Sequence, residues 1–292
     1  MNLVTLLSKR FAILMCAIVE CCAPSAMCAA PATMSPPNIV RQIDHVLLTT
    51  SKANELFELL TKTFQLPVVW PLSNYGSFGS GGVALGNVNL EIIKRPAAAA
   101  GAASGGFVGL ALEPESLRSS LAELDARGIS HGAPAPFRSL WTTVALPEVS
   151  SDALEIFLCD YTHDVAERRH RFLAQLQSRG GGPLSLHSVR EIVIGARDVK
   201  RTEAQWQKLL HPVRASADGA WPIGAGPAVR VVQAEHDEIQ TVIVAVTSLE
   251  QARRFLKQHD LLGADQPAAL TLASSRFPGF NLTLVEQPVE RR

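Results

Sequence analysis

Polar and apolar positions alternate with a two-residue period in "IDHVLLTT" (Ile43–Thr50), which predicts a strand. The next stretch, "KANELFELLTKTF", switches to helical spacing and sets Leu56, Leu59, Leu60 and Phe64 on one face. "PVVWPL", the Gly-rich "YGSFGSGGVALG" and "NVNLEII" then read as three short strands with turn residues between them. An Ala/Gly-rich stretch from Pro96 to Gly106 has the composition of a flexible connector. After it the pattern restarts with strand "FVGLAL" and helix "PESLRSSLAELDARG", where Pro114 suits a first turn and Gly128 a stop. This second unit closes with "WTTVALPE" and "ALEIFLCDY". A basic helical segment, "HDVAERRHRFLAQLQSRGGGP", ends in three glycines and marks a boundary between halves. A third unit begins at "REIVIGA" and a fourth at "QTVIVAV", each with one helix and further strand. Four copies of roughly fifty residues make an internal repeat. No copy alone has enough strands to close a core, so the copies are expected to pair.

The N-terminal stretch lies outside this pattern. Lys9 and Arg10 precede the apolar run "FAILMCAIV", and small residues follow, with Ala30 and Ala32 in cleavage-site spacing. The run is too short to span a bilayer, so residues 1–32 are expected to be a cleaved signal peptide. The mature chain would then be periplasmic or secreted, with no membrane attachment. Four of the five cysteines fall in that leader, leaving Cys159 alone and no internal disulfide. Basic and acidic residues balance at 27 each, which argues against a nucleic-acid partner.

In the order and spacing of "IDHVLL", "FQLPVVWP" and "VALGNVNLEII", and in the join from "FLCDYTHDVAERRHRF" to "GGPLSLHSVREIVIGARD", the chain resembles the vicinal oxygen chelate superfamily. Glyoxalase I, bleomycin-resistance proteins and extradiol dioxygenases belong to that superfamily. The resemblance covers residues 41–287 and is nearest to the glyoxalase-like branch with two fused module pairs. It implies an α+β fold of four βαβββ modules, with two curved mixed sheets and helices on the outside. The module pairs would occupy residues 41–178 and 185–288, joined through Gly180–Gly182. It further implies a cup in which first and last strands supply ligands to a divalent metal, and a small substrate that chelates it through adjacent oxygens. A homodimer is compatible with this picture.

Strand alternation nominates the ligands. Ile43, His45 and Leu47 are expected on one face, as are Asn89, Glu91 and Ile93, and likewise Glu155, Phe157 and Cys159. "NLEII" and "ALEIF" read as equivalent strands, so His45, Glu91 and Glu155 form the candidate metal set, with Glu91 or Glu155 as proton shuttle. One imidazole and two carboxylates suit zinc, iron, manganese, nickel or cobalt. Other readings stay open: a hydrogen-bonded core histidine, Glu91 paired with Lys94 or Arg95, and a solvated Glu155. At the fourth ligand position stands Phe107 or Val108. In the second half the corresponding residues are Glu191, Arg230, Gln240 and Thr283, which leave no metal set and lack the histidine–histidine–glutamate set of an extradiol dioxygenase.

Trp70 and Trp141 are candidate walls of the cup, and Arg138 a candidate partner for a substrate carboxylate. Cys159 reads as a small buried hydrophobe. Two functions follow. One is a metal-dependent lyase, isomerase or oxygenase in which the metal acts as a Lewis acid. The other is a metal-free protein that binds or sequesters a small molecule, as bleomycin-resistance proteins do.

Overall fold

The computed structural model describes residues 36–76, 78–94, 105–273 and 275–287. The leader and most of the Ala/Gly connector lie outside them. The first module runs β1 (Val40–Thr49), α1 (Ala53–Glu58, continued by a π-helical turn over Leu59–Thr63), β2 (Val68–Asn74), β3 (Gly79–Ala84) and β4 (Asn89–Lys94). In the second come β5 (Gly106–Pro114), α2 (Leu117–Ala126), β6 (Ala135–Phe137), β7 (Trp141–Ala145) and β8 (Glu155–Tyr161). Helix α3 (Val165–Ser178) leads into the third, β9 (Leu186–Ala196), α4 (Val199–Leu210), β10 (Ala220–Trp221) and β11 (Ala228–Gln233). The fourth is β12 (Glu238–Val246), α5 (Leu249–Gln258), β13 (Leu262–Gln266), β14 (Ala269–Leu272) and β15 (Leu282–Glu286). Three modules are thus βαβββ, and the third has one strand fewer among the described residues.

Two mixed sheets result, ordered β2-β3-β4-β1-β5-β8-β7-β6 and β10-β11-β9-β12-β15-β14-β13. In each, the first strands of two modules pair antiparallel at the centre, and each has its own module's last strand parallel beside it. The main core forms where the helices cover the sheets, with Val46, Leu48, Leu90 and Ile92 packed on Leu56, Leu60 and Phe64. The opposite face of the first sheet carries a smaller cluster, Leu47, Ala111 and Cys159, flanked by half-buried Ile93, Val108, Trp141, Phe157 and Tyr161.

The described residues of both halves fall in one compact unit. Asn87, in the turn before β4, stitches them together: its Nδ2 donates to the carbonyls of Val189 (3.0 Å) and Ala225 (3.3 Å), and its Oδ1 accepts from the Val189 amide (2.9 Å). Gly86 beside it has φ +94°, and a Cβ there would stand 2.6 Å from the His187 carbonyl oxygen. Removing the Asn87 amide strands backbone groups at the junction. Asn87→Ala is expected to lower unfolding free energy by about 1–3 kcal/mol in urea titration. A change below about 0.5 kcal/mol, the range of ordinary surface substitutions, would contradict this role.

Candidate functional site

Alternation breaks in β1 at Arg41 and again at Asp44, and the site depends on the second break. Ile43 pairs with Leu112 and His45 with the adjacent Ala111, so Asp44 is the extra residue of a β-bulge. Ile43 therefore lies in the main core with Val46 and Leu48, and the expected shared face of Ile43, His45 and Leu47 does not form. Asp44 and His45 are instead free to meet. His45 Nδ1 donates to Asp44 Oδ2 at 2.7 Å, and its Nε2 to Glu91 Oε2 on β4 at 3.0 Å.

The chain of contacts continues both ways. Glu91 Oε1 accepts from Ser80 Oγ on β3 (2.5 Å), which accepts from Trp70 Nε1 on β2 (3.0 Å). Asp44 also accepts from Tyr161 OH on β8 (3.0 Å) and from Arg169 Nη2 on α3 (3.0 Å). The same Arg169 nitrogen reaches Glu113 Oε2 on β5 (2.8 Å), where Gln42 and Arg41 also donate. Three carboxylates thus face three cations in one network.

Burial alone would push His45 towards neutrality, but the hydrogen bonds to Asp44 and Glu91 and the charges of both outweigh it and raise its pKa to about 10. At neutral pH it is an imidazolium. Burial likewise opposes ionisation of Asp44 and Glu91. His45 overcomes it for both, aided by Arg169 and Tyr161 at Asp44 and by Ser80 at Glu91, and holds both acids below their ordinary values.

The register also sets which residues are equivalent. In each first strand one bulge residue precedes the position that His45 occupies, and the partner position is whatever pairs with the residue two further on. For β1 these are His45 and Glu91, since Leu47 pairs with Glu91. For β5 the bulge residue is Val108, so the pair is Gly109 and Phe157, not Phe107 or Val108 with Glu155. For β9 it is Glu191 and Arg230, and for β12 it is Thr241 and Thr283, with the bulge at Gln240. Three of these diagonals are closed by a polar contact: His45–Glu91, the Glu191–Arg230 ion pair, and Thr241 Oγ1 to Thr283 Oγ1 at 3.0 Å.

Glu155 therefore stands two residues from the position expected for it, exposed at the start of β8. The structure brings His45 and Glu91 together and leaves Glu155 outside. Phe157 takes its place, with its ring centroid 6.1 Å from that of His45. Gly109 cannot be replaced by a ligand residue, because a Cβ there would run into the Glu155 carbonyl oxygen. Trp70 meets His45 edge-on at 6.2 Å, and Trp141 stacks on Phe137 at 4.5 Å beside Tyr161. Arg138 is exposed over the Phe137 ring, and among the described residues no acid pairs with it. Asp44, Ser80, Glu113 and Arg169 were not expected from the sequence. An acid directly before His45 was the one local signal.

The donor set does not fit a resident divalent metal. Both His45 nitrogens face carboxylates, Nδ1 towards Asp44 and Nε2 towards Glu91, and a ligating imidazole needs a free lone pair. Asp44 and Glu91 lie on opposite edges of the ring, so they do not converge on one point. Among the described residues no three His, Cys, Asp or Glu side chains gather in ligand geometry.

No protein-family model matches the sequence, and a search of curated proteins finds no match. Solved structures do match. A variant of homoprotocatechuate 2,3-dioxygenase from B. fuscum aligns with TM-score 0.61 and 11% identity over 88% of this chain and 74% of that one. The enzyme from Arthrobacter globiformis aligns at 0.59 and 13%, covering 88% and 82%. The Brevibacterium fuscum enzyme in complex with 3,4-dihydroxyphenylacetate aligns at 0.59 and 11%, covering 88% and 83%. The chain shares the fold of these homoprotocatechuate 2,3-dioxygenase structures.

The network has a pH signature. His45 is raised from 6.5 to about 10, so it contributes its full stability below pH 6.5 and loses it as pH rises towards 10. Asp44 and Glu91 are lowered, so their contribution is present above the ordinary carboxylate range and is lost in acid. The Cys159 thiol, pushed up to about 12 by burial, adds an alkaline slope only above its ordinary value of 9. Tm is therefore expected to fall more steeply between pH 7 and 8.5 in the wild type than in His45→Gln, where His131, also raised, leaves a smaller slope of the same sign. Equal slopes in the two proteins would contradict the assignment.

Proposed function

We propose that this chain is a metal-free small-molecule binding protein of vicinal oxygen chelate fold, acting after export. One observation carries the reading: both ring nitrogens of His45 are spent on carboxylates, while Gly109 and Phe157 fill the remaining two positions of the pair. That face of the sheet carries instead a buried apolar cluster, Leu47, Ala111 and Cys159, with Phe157 and Trp141 as half-buried aromatic neighbours. Glu91 stands at its polar edge with its side chain 15% exposed, a carboxylate able to accept from a ligand. This chemistry suits a small aromatic molecule whose hydroxyl or amine donates to Glu91 while its ring lies on Phe157 and Trp141. The His45 network makes the acceptor rigid and keeps it ionised.

The competing reading is a metal-dependent enzyme of the glyoxalase or ring-cleaving type. The 3.0 Å approach of His45 to Glu91, close enough for two ligands of one ion, favours it. The fold neighbours include a dioxygenase bound to 3,4-dihydroxyphenylacetate, which supplies a probe for both readings. Protein purified without chelator is expected to hold far less than one metal per chain. By calorimetry it should bind 3,4-dihydroxyphenylacetate equally with and without EDTA. Trp141→Ala or Glu91→Gln should weaken that binding about tenfold, or ~1.4 kcal/mol. Stoichiometric metal that disappears in His45→Ala, together with turnover of the catechol, would establish the enzyme reading instead.

A further inference from the structure

We propose that α3 is a built-in lid, and that Arg169 on it occupies the subsite of a cationic ligand group between Asp44 and Glu113. The inference rests on the binding reading above and adds the charge of the ligand to it. Arg169 enters from outside the sheet and bridges the two acids with a single nitrogen, at 3.0 and 2.8 Å. Both carboxylates are nearly buried, with side chains 4% and 6% exposed. Both are also held from within the sheet: Asp44 by His45 and Tyr161, Glu113 by Gln42 and Arg41. The sheet therefore keeps the acid pair in place whether or not the helix is there.

The helix itself is lightly seated. Leu176, near its C-terminal end, is its one fully buried residue. Val165, Arg168, Arg169 and Phe172 recur at i, i+3, i+4 and i+7 and line a pocket shared with Asp44, Trp70 and other sheet residues. The cavity left between helix and sheet is ≈ 10 Å³, about the room of one water, so α3 fills that end of the cup. Arg169 is also an imperfect occupant, since its Nε is buried with no hydrogen-bond partner. Exposed Thr162–Asp164 precede the helix, and Gly180, Gly181 and Gly182 follow it with φ of +61°, +78° and +66°, a run only glycine adopts without strain.

Lifting α3 alone would strip a cation from two buried carboxylates, which is strongly unfavourable. A ligand that brings its own cation to this subsite removes that penalty, so the lid selects for amidinium, guanidinium or amine groups over neutral analogues there, while a ligand that reaches only Glu91 and Trp141 leaves it closed. Arg169 is then an intramolecular competitor, and it lowers apparent affinity by the fraction of time that it holds the site.

The test uses benzamidine, with benzamide as the uncharged control, on the full chain. Benzamidine is expected to bind Arg169→Ala at least tenfold more tightly than the wild type. In the wild type it should increase hydrogen exchange across residues 165–178. Benzamide should do neither, and Glu113→Gln in the Arg169→Ala background should abolish the gain. If Arg169→Ala does not fold, Phe172→Ala loosens the lid without touching the acid pair and should show the same gain. Equal or weaker benzamidine binding in a folded Arg169→Ala or Phe172→Ala protein would overturn the proposal. If the wild type still bound 3,4-dihydroxyphenylacetate in a Trp141-dependent manner, that result would leave the binding reading standing and remove only the lid.

Discussion

A protonated imidazole held between two carboxylates in the middle of a sheet is the interaction on which the N-terminal half depends. Charge of either sign is expensive to bury alone, and a buried pair tolerates the loss of one member badly. His45 therefore requires Asp44 on one edge and Glu91 on the other, and each acid in turn requires its own donors. Ser80 and Trp70 serve Glu91, while Tyr161 and Arg169 serve Asp44. Strands β1 to β5, β8 and helix α3 all contribute to this one charge-balanced network. Its result is a fixed carboxylate at the edge of an apolar surface.

The four-fold repeat makes the same point by comparison. Each module places two side chains on a diagonal between its first and last strands, and in this chain those places hold an imidazolium with a glutamate, a glycine with a phenylalanine, a glutamate with an arginine, and two threonines. The two ion pairs occupy equivalent sites with opposite polarity: the cation is on the first strand in one half and on the last strand in the other. A salt bridge satisfies the partner requirement of a buried charge as a metal would, but leaves no open coordination position. The fold persists because the bulges and the central antiparallel strand pair build it, and neither depends on what fills the diagonals.

Much of this was legible in the sequence. The change from two-residue to helical spacing located β1, α1 and the later units, and "IDHVLL" with "NVNLEII" pointed to the fold that the solved structures share. His45 and Glu91 were found by alternation, and they do meet. What alternation misses is any local departure from it. One extra residue at Asp44 turned an apparent surface acid into the partner of His45, and the bulge at Val108 moved the equivalent position to Gly109. The similarity of "NLEII" to "ALEIF" suggested that Glu155 matches Glu91, whereas backbone pairing aligns Phe157 instead. Arg169 lies 125 positions from Asp44 on a helix read only as a boundary, and no spacing rule links the two.

The protonation state of His45 separates a recognition site from a metal site most directly, and ring nitrogen-15 chemical shifts report it. With selectively labelled histidine, the account predicts that both His45 nitrogens carry protons at pH 7.5 and that added zinc or ferrous ion leaves their shifts unchanged. A single protonated nitrogen at that pH, or a shift of Nε2 on adding either metal at one equivalent, would contradict it.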